Sequence, residues 1–270
     1  MARLSEGRSP EFRSHRRMSP QNNKHEEFCT GLFLILIDIH ALLRYNKLVM
    51  YVQYELNDTW RYNPVLDFST LMFRAPALLI ALTIHEYAHA CVSDSLGDPT
   101  PGLQGRLTLN PLAHLDIVGT LMLVLCGFGW AKPVEIDPRY YKDYRSGQMK
   151  VSAAGPVANL FLCFVAVLIM TARGSLGMSS NMVNQFLYWL MLYNVWFAFF
   201  NLIPIPPLDG SKILETFLDY ETAYKYENFV GRYGFVVLII IVYSGISNLI
   251  IGPLSSWFLR LCYGVASILF

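Results

Sequence analysis

A chain of 270 residues that is 54% hydrophobic and only 15% charged, with a net charge of +1 and a mean hydropathy of +0.35, is too apolar for an ordinary soluble domain. The near-neutral balance, with no Lys/Arg-rich stripe between aromatics, excludes nucleic acid as a partner class. Five cysteines (Cys29, Cys91, Cys126, Cys163, Cys262), odd in number and without C-x-x-C spacing, exclude a disulfide framework and a cysteine zinc site. What remains is an all-α polytopic transmembrane bundle of about 4–6 membrane segments with short irregular or re-entrant loops. Residues 151–172, 174–208 and 233–259 are uncharged over 22, 35 and 27 positions, and a spanning helix needs about 20 apolar residues.

In chain order, residues 1–27 are polar, rich in Arg, Ser, Pro and Asn, and of disordered composition. Residues 28–43 contain the short run "GLFLILI", which has the look of a signal peptide but no small-residue cleavage site after it. A start at Met50 is an alternative suggested by the shift in composition. The expected organisation is an N-terminal extension over 1–60 and a membrane domain over 61–270.

Residues 68–92 form the first good helix, with Arg74 reaching toward an interface. This helix carries "TIHEYAHA". His85 and His89 lie four apart, so on a helix they share one face, and Glu86 sits beside the first. Two imidazoles and a neighbouring carboxylate are the components of a zinc hydrolase, in which the metal lowers the pKa of its water toward about 7. Two partly buried histidines with no metal role are the bland alternative. In an apolar helix that alternative weakens, because each ionisable group placed there costs about 2.5 kcal/mol or more.

"SLGDPTPG" ends the helix. "GRLTLNPLAHLD" alternates weakly, as a short strand or an interfacial loop would. Residues 117–131, only 15 uncharged positions, fit a re-entrant segment as well as a full span. The loop 132–150 carries Lys132, Arg139, Lys142, Arg145 and Lys150, and 211–232 carries Lys212, Lys225 and Arg232. The positive-inside rule places both in the cytoplasm, with the connection at 173–184 outside.

A catalytic zinc needs a third protein ligand. The metzincin extension is excluded, since Val92 and Ser95 stand where Gly and His would be required. His114, Asp116, Glu135 and Asp209 are the candidates. Asp209 differs from the others in ending the 35-residue uncharged run, within "NLIPIPPLDG". The prolines there open backbone that a membrane tolerates only where protein or a wet cavity covers it. A helix-end aspartate at the headgroups is the alternative.

H-E-x-x-H on an apolar helix, followed more than a hundred residues later by N-x-x-P-x-P-x-L-D-G, resembles the site-2 protease family of intramembrane metalloproteases. "AAGPVANL" at 153–160 resembles that family's middle core helix, and "GRLTLNPLAHLD" with "GFGWAKPV" its compact bacterial members. The resemblance covers about residues 65–255. It implies a three-helix catalytic core and one catalytic Zn2+ held by His85, His89 and Asp209. It also implies that Glu86 is the general base that then protonates the leaving amine. Asn159 would position the substrate strand or stabilise the oxyanion, although a polar residue hydrogen-bonded between helices explains it equally well, and Asn201 with the following prolines would shape the substrate-binding cleft. Larger members carry a PDZ module, for which the roughly 19 residues of 132–150 leave no room.

The function so implied is hydrolysis of peptide bonds within transmembrane segments of other proteins. The partners are those substrates and the lipid bilayer, and the location is a bacterial plasma membrane with the site toward the cytoplasm. Helix 68–92 would run inward, its histidines in the cytoplasmic half. A metal transporter using the same ligands, and a catalytically silent relative that holds transmembrane partners, are the competing classes. Glu86→Gln separates them, because a transporter tolerates it and a protease does not.

Overall fold

Apolar side chains in long unbroken runs dictate helices, and in the computed structural model, which describes residues 68–119, 131–178 and 180–270, helices dominate. α1 is Phe68–Ser95. It ends at a turn in which Leu96 and Gly97 donate back to Ser93 and Asp94 carbonyls, three residues beyond the expected end. α2, Tyr144–Ser175, begins seven residues before its uncharged run. The Asp143 carboxylate accepts the Arg145 and Ser146 N–H groups there and starts the helix inside the basic loop.

α3 is Asn181–Asn201, α4 is Asp209–Phe217, α5 is Tyr220–Tyr243 and α6 is Ile246–Leu269. Three helices are long and apolar enough to cross a membrane by length and composition: Leu71–Ser95, Tyr144–Ser175 and Leu249–Leu269. α3 falls short because Asn181, Asn184, Gln185, Asn194 and Asn201 interrupt its apolar residues.

One expectation needs correction, and one open alternative is resolved. Residues 233–259 are not one span. The run holds the end of α5 and the first half of α6, separated at Gly245, which takes φ 76°. A left-handed residue terminates a helix however apolar its flanks are. "GRLTLNPLAHLD" is an irregular loop with a 3-10 turn at Pro111–Ala113, started by the Asn110 side chain accepting the Leu112 N–H. Its pairing is a single antiparallel bridge, Leu115 with Ala131, since Pro111 has no N–H to extend a ladder. The boundary near residue 60, the Met50 alternative and the re-entrant segment, apart from 117–119 and Ala131, lie outside the described residues.

α1, α2 and α3 pack on one another, α6 packs on α2 and α3, and α4 packs on α2. The core between them is small and tight. Ala77 of α1, Cys163, Ala166 and Val167 of α2, Met191 and Val195 of α3, and Ala266 of α6 are fully buried. Small residues let backbones approach closely, which is how helices gain packing in lipid, where burial of apolar surface gives no advantage. A second cluster, with Phe200, Ile203, Leu208, Leu238 and Ile251, joins the end of α3 and the proline turn to α5 and α6. That turn is the frame from which Asp209 projects.

Candidate active site

The site is built where the last turns of α1 meet the first turns of α2. His85 and His89 lie on one face of α1, with ring centroids 4.6 Å apart. Their Nε2 atoms are 3.1 Å from each other. Asp209, the first residue of α4, brings Oδ2 to 3.1 Å from His85 Nε2 and 3.3 Å from His89 Nε2. Among the described residues this is the one group of three or more such side chains whose ligand atoms converge.

The protons on these rings are fixed by their outer partners. His89 Nδ1 lies 2.7 Å from the Val151 carbonyl. A carbonyl only accepts, so Nδ1 carries a proton and Nε2 is the ring atom turned toward His85 and Asp209. His85 Nδ1 lies 2.7 Å from Asn159 Oδ1, with the same consequence. Two imidazole nitrogens and a carboxylate oxygen therefore face one another at 3.1–3.3 Å. Such a triangle holds together when a shared cation, a proton or a metal ion, lies between the three atoms. Tetrahedral zinc with Zn–N and Zn–O bonds of about 2.0–2.1 Å spaces its ligands by about 3.3 Å, which the observed triangle matches. The residues fit zinc.

Glu86 is buried and reaches the loop that precedes α2. Its Oε2 accepts the Val134 N–H at 3.0 Å. That loop is fastened on both sides of Val134. Lys132 donates its N–H to the His114 carbonyl at 2.9 Å, and the buried Arg106 guanidinium faces the Ala113, Lys132 and Pro133 carbonyls. Further on, Asp137 donates its N–H to Asp98 Oδ2 at 2.8 Å, and Ser93 on α1 joins Asp98 to the Tyr141 hydroxyl. Burial alone would raise the Asp98 carboxyl, but hydrogen bonds from Thr100, the Asp137 N–H and Ser93 together hold it below the usual carboxylate range.

Two features account for how closely α2 approaches the histidines. A Cβ at Gly155 would lie 2.5 Å from His89 Nε2 and 2.6 Å from His85 Cε1, so no other residue fits there without displacing both rings. From the other side, Phe197 of α3 packs edge-on against His85 at 4.7 Å.

The remaining sequence candidates are placed as follows. His114 is buried, and its Nε2 meets the Thr108 carbonyl. Asp116 accepts the Gly119 N–H, and Glu135 accepts from Gln104. None of these three belongs to the converging group. Asn159 is fully buried between helices, with its oxygen on His85 and its amide nitrogen on the Ala81 carbonyl and Asn194. Asn201 turns back to donate to the Phe197 carbonyl of its own helix. Sequence reasoning missed Val134, whose contribution is a backbone N–H, and Gly155, whose contribution is an absent side chain. It also missed Asn194, which one signal could have found: a polar residue in an apolar helix, two turns before Asn201 and on the same face.

Comparison with known proteins agrees with this geometry. Peptidase family M50 matches residues 170–241. The chain is 36% identical over 203 residues to "Putative zinc metalloprotease YwhC" of Bacillus subtilis, covering 73% of this chain and 90% of that protein. It is 29% identical over 190 residues to "Putative zinc metalloprotease Rip2" of Mycolicibacterium smegmatis, covering 68% and 69%. It is 33% identical over 159 residues to "Putative zinc metalloprotease MJ0611" of Methanocaldococcus jannaschii, covering 55% and 73%. No solved structure matches. With an H-E-x-x-H helix, a distant aspartate beside it and relatives that share most of their length, the chain belongs to the site-2 protease family, peptidase family M50, and is a membrane metalloprotease.

Proposed function

We propose that this protein is an intramembrane zinc endopeptidase, cleaving a peptide bond within a transmembrane segment of another membrane protein. In this reading His85, His89 and Asp209 hold one Zn2+ and Glu86 is the catalytic base. The observation that carries it is the convergence of three ligand atoms within 3.1–3.3 Å of one another on two buried histidines and a half-buried aspartate, the histidines lying on a helix apolar enough to span a bilayer.

Zinc at this position supplies Lewis acidity to water and to the scissile carbonyl. Glu86 takes the proton from the attacking water on the carboxylate. The Val134 N–H holds Oε2 in one orientation, leaving Oε1 for that proton. As the peptide C–N bond breaks, Glu86 returns the proton to the leaving amine nitrogen, so the carboxylate is regenerated. Asn159 and the Val151 carbonyl keep both imidazoles with their Nε2 lone pairs turned inward. A substrate helix must unwind locally, because its backbone groups are otherwise hidden in their own hydrogen bonds.

His85 and His89 lie ten and six residues before the end of α1, or about 15 and 9 Å below it at 1.5 Å per residue. The basic segment 132–150, which runs into α2, and the basic segment 211–232, which folds as α4 and the start of α5, lie at that same end, where Ser93 meets Tyr141 and Arg145 meets the Leu218 carbonyl. This supports a cytoplasmic site by the positive-inside rule. The compact form and the bacterial relatives support a bacterial plasma membrane.

Comparison of wild type with Glu86→Gln in native membranes tests this reading. Zinc content should remain at one ion per chain in both proteins. Truncated forms of single-pass membrane proteins, detected by mass spectrometry, should be present with wild type and disappear with the variant. Identical fragments in both, with zinc bound in both, would refute it.

A further inference from the structure

Asn194 is a buried polar residue in the middle of α3, and none of the assigned chemistry uses it. It and Asn159 are fully buried, so each of their polar atoms needs a partner within the protein. The pattern they make has one solution. The Ala81 carbonyl can only accept, so the Asn159 atom 3.0 Å from it is the amide nitrogen. The same nitrogen donates its other hydrogen to Asn194 Oδ1 at 2.7 Å. Asn194 in turn donates to the Leu190 carbonyl one turn back on its own helix, at 2.7 Å, which fixes its Oδ1 toward Asn159. With both amide hydrogens committed, Asn159 Oδ1 has one direction left, and it lies 2.7 Å from His85 Nδ1. The proton of His85 is thereby held on Nδ1 and its Nε2 lone pair is aimed at Asp209 and His89.

We infer that Asn194 is a positioning residue for the metal centre. Through Asn159 it sets the tautomer and ring angle of His85, so that α3, which contributes no ligand, sets the affinity for zinc. This rests on the zinc reading given above. His89 has no such relay, since a single backbone carbonyl holds it, so the two histidines are oriented by independent means.

The test measures zinc affinity by competition with a chromophoric chelator, using the full chain in detergent and zinc alone as the probe. Asn194→Leu removes the acceptor and should weaken binding by about tenfold or more, as loss of an orienting partner does. Asn194→Asp supplies an oxygen in the same place and, as a neutral acid, still donates to Leu190. It should bind within about threefold of wild type, on the same reasoning that the partner's acceptor is what matters. If the leucine variant does not fold, Asn194→Ala removes the same acceptor and should show the same loss. Tight binding by a variant lacking the acceptor overturns the inference, even if that variant unfolds at lower temperature, because a purely structural role moves stability and not affinity. Weak binding by Asn194→Asp also overturns it. A wild-type chain that binds no zinc refutes the zinc reading itself, which the reference measurement reveals before any variant is compared.

Discussion

At the scale of single residues, the site is a problem of orientation. Asp209 Oδ2 and two imidazole nitrogens are gathered at 3.1–3.3 Å, and they are held there by the Val151 carbonyl, Asn159 and the turn that begins α4. Gly155 completes the enclosure. Gly155→Ala places a methyl 2.5 Å from His89 Nε2, and the rings must separate to admit it. Zinc affinity should fall at least about tenfold, the scale seen when ligand orientation is disturbed, while α2 remains helical, since alanine favours a helix more than glycine does. Equilibrium dialysis with zinc and far-UV circular dichroism check the two halves of that expectation.

At the scale of elements, the loop between Ala131 and Tyr141 works as a strap across the end of α1. Its Val134 N–H reaches Glu86, and its fastenings are Arg106 on one side and Asp98 on the other. Arg106→Met removes the charge that gathers the Lys132 and Pro133 carbonyls. Hydrogen exchange over residues 131–137 should then quicken, and kcat on labelled casein in micelles should fall by about tenfold, less than the roughly 100-fold or more of losing a general base outright. Zinc content should be unchanged, since no ligand is on the strap.

Asp98 gives the strap a pH dependence. Its carboxyl is held below the ordinary value in the folded protein, so its contribution to stability is complete above the unfolded value of about 3.9 and is lost as pH falls through the lower folded value. Thermal unfolding between pH 7 and pH 3 should show this acid-side loss. Asp98→Ala should remove that loss and cost about 2–3 kcal/mol at neutral pH, as expected for a buried charged group with several donors.

At the scale of the whole molecule, the question is how a hydrolytic site coexists with lipid. The metal-ligand face is closed in by α2, α3 and the proline turn, while large apolar side chains such as Val157 and Phe161 of α2 and Trp257 and Leu261 of α6 are exposed on the outside. Water needs a path only from the end where α1 stops and the basic loops begin. Cysteine placed at the exposed Lys142 should react with a membrane-impermeant maleimide only in inverted vesicles, and cysteine at the exposed Met182 only in intact cells. The reverse pattern would invert the orientation proposed above.

The sequence by itself determined whatever depends on local spacing or composition. Helical periodicity brings His85 and His89 to one face whatever surrounds them, and long uncharged runs require helices. Asp209 was legible for a related reason: a charge ending such a run beside three prolines is costly unless something uses it. The sequence could not place the break at Gly245, because an apolar run reads the same through a turn as through a helix. Nor could it separate the two readings of Asn159, which depend on whether its amide faces a cleft or a neighbouring helix. Only the tertiary structure supplies its partners, by bringing Ala81, His85 and Asn194 around it from two other helices. The same holds for Val134 and Gly155. A backbone N–H and a missing methyl acquire meaning only when another segment, far away in the chain, is packed against them.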